Sequence, residues 1–229
     1  MKTIGLLGGM SWESTASYYA MINQGVKQEL GGLHSAKLVL NSVDFAEIEK
    51  LQHEGNWACT AKMLTKAAVG VQAAGADFLL ICTNTMHKVA PQIESVINIP
   101  LLHIADATAD KLLESGIDCV GLLGTRFTME QDFYVSRLEA RGIRVLVPDE
   151  AGRERVHQVI YQELCQGQIW DDSRNDYLAI MDKLVEQGAQ GIILGCTEIG
   201  LLVKQSDTQT PLFDTTAIHA EAAVKLALS

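Results

Sequence analysis

Gly5-Leu6-Leu7-Gly8 recurs as Gly121-Leu122-Leu123-Gly124, and the run GADFLLICTN at residues 75–84 returns as GAQGIILGCT at residues 188–197. A third pair, Ile99-Pro100-Leu101-Leu102 and Thr210-Pro211-Leu212-Phe213, follows in the same order. The offsets are 116, 113 and 111 residues, so the landmarks keep their order with only small insertions and deletions. Ordered self-similarity of this kind is the mark of an internal duplication. The copies differ at one chemically decisive position: the second has Cys196 where the first has Thr83.

Around these landmarks, short apolar runs alternate with longer amphipathic stretches, the pattern of βα units in a mostly parallel sheet. Strands are predicted at 3–7, 36–41, 78–82, 101–104, 119–123, 144–147, 191–195 and 211–213. Helices are predicted at 12–30, 56–74, 107–115, 127–140, 153–166 and 172–187, with glycines at 31–32, 75, 116, 142 and 188 as stops. The fold class is therefore α/β, with two pseudo-symmetric lobes, each a four-stranded, mostly parallel sheet flanked by helices. The first lobe is expected to comprise 1–103 and 211–229, and the second 104–210. Such sheets bind ligands outside the carboxyl ends of their strands. Both glycine turns and both Thr83/Cys196 segments fall at those ends, so the active site is expected in a cleft between the lobes.

Composition narrows the partners. A chain of 229 residues can hold two compact domains of roughly 100 residues each. A net charge of −10, with no Lys/Arg cluster, argues against nucleic acid and leaves a small molecule as the expected partner. The five cysteines are scattered, with no C-x-x-C pair, which suits a reducing, cytoplasmic setting better than a disulfide framework or a zinc site. The histidines lack metal-ligand spacing, so no metal is expected. No apolar run approaches the roughly 18 residues of a membrane helix. The opening Gly5 to Gly9 is not a dinucleotide fingerprint, because a third glycine at the required spacing is missing.

A thiolate can remove a proton and a thiol can return one, and backbone N–H groups at a strand end lower the thiol pKa from its reference of about 8.5. Cys196 is placed for such work, although a cysteine there can also be buried filler. Thr83-Asn84-Thr85 reads either as a carboxylate clamp or as an ordinary helix cap. His87 reads either as an orienter of the cleft or as a capping or buried structural histidine. Trp12, Trp57 and Trp170 read as packing residues near helix starts, and Arg126 and Lys88 as surface charges.

Taken together, Gly5-Leu6-Leu7-Gly8-Gly9-Met10-Ser11, Asn84-Thr85-Met86-His87, Gly124-Thr125-Arg126-Phe127-Thr128, Gly195-Cys196-Thr197-Glu198 and Phe213-Asp214-Thr215-Thr216 resemble the Asp/Glu racemases. The resemblance covers essentially the whole chain. It implies a cofactor-independent amino-acid racemase, homodimeric like many relatives, in which two cysteines serve opposite faces of the substrate Cα. Thr83 replaces the first of them here, and the adjacent Cys82 should point to the other face of its strand. The resemblance assigns Cys196 to the α-proton of L-aspartate or L-glutamate, and Thr83, directly or through water, to the D face. Met10 and Ser11, with Thr125 and Thr128, are implied to hold one end of the substrate, and Asn84, Thr85 and Thr197 the α-carboxylate. Glu198 is implied either near the ammonium or as the orienter of Cys196. Gln52, whose approximate repeat mate is Cys165, stands near where aspartate racemases carry a basic residue, and could hydrogen-bond a carboxylate or an amide.

Two other functions fit parts of the pattern. A malonate-type decarboxylase needs only one cysteine, because an enolate is protonated from one face. A catalytically inactive amino-acid-binding protein would need no cysteine at all.

Overall fold

A computed structural model describes all residues, Met1–Ser229. The chain forms two compact units, Met1–Ile104 with His219–Ser229, and Ala105–Ile218. The first unit runs through β1 (Ile4–Gly8), α1 (Trp12–Leu30), β2 (Leu38–Ser42), α2 (Phe45–His53), α3 (Trp57–Ala73), β3 (Phe78–Ile81) and α4 (Ala90–Glu94). Its three strands are parallel in the order β2-β1-β3, with Leu7 in register with Asn41 and Ile81. After α5 (Ile104–Glu114), the second unit contains β4 (Cys119–Gly124), α6 (Arg126–Glu130), α7 (Asp132–Glu139), β5 (Arg144–Leu146), α8 (Glu150–Gln162), α9 (Asp171–Glu186), β6 (Gly191–Gly195), α10 (Ile199–Leu202) and β7 (Leu212–Asp214). Its four parallel strands lie in the order β5-β4-β6-β7, and α11 (Thr215–Leu228) then ends the chain.

β1, β3, β4 and β6 are buried at every position, as expected of parallel strands covered on both faces. In the first unit Leu7, Leu79 and Ile81 pack on Leu64, Ala68 and Val71 of α3. The alternate residues Leu6, Leu80 and Cys82 pack on Tyr18, Ile22 and Val26 of α1 and on Ala220, Ala223 and Ala227 of α11. The repeated glycines are required by close helix approach. A Cβ on Gly5 would lie 2.5 Å from Val71 Cγ1 of α3, and one on Gly121 would lie 2.6 Å from Ile192 Cδ1 of β6 and 2.9 Å from Leu184 Cδ1 of α9.

Three expectations are corrected. The fourth strand of the first sheet, expected at 101–104, is a single bridge between Leu79 and Leu101, because α5 starts at Ile104. Its repeat mate β7 does pair, with Leu212 opposite Ile192, so the sheets have three and four strands. The return to the first unit comes at His219 rather than 211, since β7 still belongs to the second sheet. Finally, the helix expected over 127–140 breaks at Gln131, whose backbone is extended (φ −107°, ψ 147°). Sequence periodicity also missed α2, α4, α10 and α11, of which α4 and α10 are single short turns. No helix is long and apolar enough to cross a membrane.

Candidate active site

The carboxyl end of the first sheet is built from the segments after β1 and β3. Gly9 has a φ of +90°, and its amide donates to Thr15 Oγ1 at 2.8 Å, which in turn donates to the Ser11 carbonyl at 2.8 Å. Ser11 caps α1, accepting from the Ser14 amide at 3.3 Å, and Met10 is buried behind it. Ser14 Oγ donates to the Cys82 carbonyl at 3.0 Å, so the glycine turn is tied to the residue preceding Thr83. Thr83 is half-buried, and Asn84 and Thr85 are buried. Cys82 faces the α1 side, as strand alternation requires, and burial pushes its thiol far above the ordinary range. A thiol so held in apolar surroundings cannot stand in for Thr83.

The second sheet repeats the arrangement with different chemistry. Gly124 is in register with Gly195, so the turn at Thr125 lies beside Cys196. Thr125 caps α6 by accepting from the Thr128 amide at 3.4 Å, and the two hydroxyls lie 3.3 Å apart. Cys196 is half-buried directly after β6, and its thiol donates to Glu198 Oε2 at 2.9 Å. Burial of the sulfur first, and then the negative charge of Glu198, hold the thiol well above its ordinary pKa. This hydrogen bond is the contact expected if Glu198 orients Cys196. The resting thiol is therefore protonated, with its proton directed at the Glu198 carboxylate.

The profile of the family described as Asp/Glu/Hydantoin racemase matches residues 7–223. The chain belongs to that family. A candidate Asp/Glu racemase from Yersinia pestis is 58% identical, covers 100% of both chains and superposes with a TM-score of 0.95. The aspartate racemase homologue of Pyrococcus horikoshii is 34% identical over 100% of both chains, with a TM-score of 0.87. The broad-specificity amino-acid racemase RacX of Bacillus subtilis is 23% identical over 99% of this chain and 98% of its own length. Membership places the protein among the isomerases.

Within this racemase fold, the remaining site residues have mixed surroundings. Gln52 is buried on α2, whereas its repeat mate Cys165 is exposed in the 3-10 turn Leu164–Gln166. Thr197 is half-buried beside Cys196. Arg126 is an ordinary surface charge, ion-paired with Glu154. Lys88 is not: it is half-buried with its ammonium 4.0 Å above the Trp57 ring, and burial lowers its pKa. Of the three tryptophans read as packing residues, Trp12 and Trp170 are instead exposed, because each sits on the outer side of a helix start.

Two features in the structure have no signal in the sequence: a capping role for Asp214 and a buried histidine cluster. Asp214, at the end of β7, accepts from the Thr216 and Ala217 amides and so caps α11; burial raises its carboxyl pKa. His87, His103 and His219 converge in the first unit although they are distant in sequence. His219 bridges the Tyr18 hydroxyl and the Leu102 carbonyl, each at 2.8 Å. No periodic signal marks such a cluster, because three different segments supply its members.

Proposed function

We propose that this protein is a cofactor-independent racemase of acidic amino acids, L-aspartate or L-glutamate, acting by proton transfer at Cα. The observation that carries the reading is the Cys196 thiol held on the Glu198 carboxylate at the carboxyl end of β6, at the position whose repeat mate is Thr83. Family membership and the aspartate racemase homologue's 34% identity support the substrate class.

The steps balance without any redox change. Glu198 takes the thiol proton, and the Cys196 thiolate removes the α-proton of the L-enantiomer. The electrons of the broken C–H bond pass into the α-carboxylate, giving a planar carbanion. Asn84, Thr85 and Thr197 stabilise that charge by hydrogen bonds, with the Met10–Ser11 backbone, Thr125, Thr128 and Gln52 holding the rest of the molecule. The Thr83 hydroxyl, directly or through a water, then delivers a proton to the opposite face and is reprotonated from solvent, while Glu198 releases to solvent the proton it took from the thiol. A threonine alkoxide is a costly intermediate near neutral pH, so the Thr83 face is the slow one. Enantiomers have equal free energy, so this asymmetry changes exchange rates and not the final ratio.

The test is proton NMR in deuterated water with separate L- and D-aspartate and L- and D-glutamate. Exchange of the α-proton and inversion starting from an L-enantiomer, both abolished in Cys196→Ser, are expected. Silence on all four amino acids, or undiminished exchange in Cys196→Ser, defeats the reading.

A further inference from the structure

His87 lies in the 3-10 turn Thr85–Val89 that follows Thr83, and its imidazole is buried. Nδ1 lies 2.8 Å from the Thr83 carbonyl oxygen, and Nε2 lies 3.3 Å from the Ile104 amide nitrogen. A carbonyl oxygen can only accept and an amide N–H can only donate. The ring is therefore the neutral tautomer with its proton on Nδ1, donating to Thr83 and accepting from Ile104. His103 packs against the ring at 4.4 Å between centroids, which leaves it little room to turn.

We infer that His87 is the positioning residue for Thr83, a neutral tether that fixes the backbone carrying the hydroxyl by joining it to the first residue of α5. This rests on the racemase reading of Thr83 given above. The same geometry denies His87 the role of proton source. Both ring nitrogens are engaged by main-chain groups, and the contact with Thr83 is to its carbonyl, not its hydroxyl. The second half of the duplication has no counterpart: Cys196 is oriented through its own side chain by Glu198. A tether matters more to a poor acid such as threonine, because displacement of a reacting group by about 1 Å can cost on the order of 10²-fold.

The two ring contacts can be separated by substitution. The side-chain amide of His87→Asn can reach the place of Nδ1 and donate to the Thr83 carbonyl. That of His87→Gln extends toward the place of Nε2 and reaches Ile104 instead. The readout is the ratio of inversion to α-proton exchange, starting from L-aspartate or L-glutamate, whichever the wild type turns over, in deuterated water. Exchange reports the Cys196 face alone, whereas inversion also needs Thr83. We expect His87→Gln to lower this ratio by about ten-fold or more, with exchange retained, and His87→Asn to restore most of it. An unchanged ratio in both variants, or a parallel fall in exchange and inversion, would overturn the tether. A second measurement needs no variant and no turnover: imidazole ¹⁵N shifts of His87 in the wild type should show protonated Nδ1 and bare Nε2. The opposite tautomer, or a doubly protonated ring at neutral pH, would refute the inference even if the protein proves to be a racemase. Failure of the wild type to exchange any substrate would instead defeat the racemase reading, and the tautomer would still decide whether the tether exists.

Discussion

At the scale of single residues, the decisive contrast is between a thiol and a hydroxyl at equivalent places in a duplicated chain. Comparing the two copies exposes that contrast in the sequence, and the family resemblance offers Glu198 as a neighbour of the thiol; the burial of the sulfur is visible only in the structure. Glu198, two residues on from Cys196, accepts its thiol proton in a hydrogen bond, and its charge, second to burial, raises the thiol pKa. Glu198→Gln removes that charge, so the pH midpoint for alkylation of Cys196 by iodoacetamide should move down. It should remain above that of a free cysteine, because burial is the larger cause. Peptide mass spectrometry separates Cys196 from the exposed Cys59 and Cys165; a midpoint that stays put or rises would show that Glu198 does not bear on the thiol. His219 gives a second residue-scale prediction. Burial pushes its pKa down to about 4 from 6.5. The unfolded chain therefore binds a proton that the folded chain refuses between these values. The neutral ring's contribution is complete above pH 6.5 and is lost as pH falls toward 4, by about 3 kcal/mol. Urea titrations across this window should show the loss, and His219→Gln should flatten the slope. His157, whose pKa burial also lowers, accounts for part of what remains.

At the scale of elements, the strands were legible because the buried parallel strands are short apolar runs with glycine landmarks. β2, partly exposed, is displaced from its expected span of 36–41 to Leu38–Ser42, whereas β5 falls within one residue of its expected span. The apolar run at 101–104 makes only a bridge at Leu101, because α5 begins three residues later, which local sequence does not reveal. The alanine-rich α11 has too weak an apolar stripe for periodicity to find. Its role is tertiary, with Ala220, Ala223 and Ala227 accommodating α1 and the strands. The paired glycines make a test at this scale. Gly5→Ala forces a Cβ into α3 and Gly121→Ala forces one against Ile192 of β6 and Leu184 of α9, and each should destabilise by about 1–3 kcal/mol in urea unfolding. Gly142→Ala adds a Cβ where nothing lies within 4 Å, at a φ of +81°. Its cost should come from backbone strain alone, about 1 kcal/mol. If Gly5→Ala proved neutral, close helix approach would not be the reason for the repeated glycine.

At the scale of the whole molecule, duplication supplies two sheets whose carboxyl ends carry matched turns, and divergence at Thr83 and Cys196 makes those ends chemically unequal. The two units, the family and the matched segments were all within reach of sequence comparison. The tautomer of His87, the cation over Trp57 and the cap at Asp214 were not, since each depends on contacts between segments far apart in the chain. In the proposed reaction a cysteine serves one face of Cα and a reluctant acid, Thr83, the other. Its most direct measurement is deuterium incorporation scored together with chirality, from each enantiomer, in the wild type and in Thr83→Cys. From the L-enantiomer, deuterium should enter with retention faster than with inversion, because Cys196 returns a solvent-derived proton to its own face. From the D-enantiomer, deuterium should arrive mostly with inversion, because Cys196 is the faster donor, and Thr83→Cys should raise exchange with retention. Equal behaviour of the two enantiomers in the wild type, or no gain of D-side exchange in Thr83→Cys, would contradict the account.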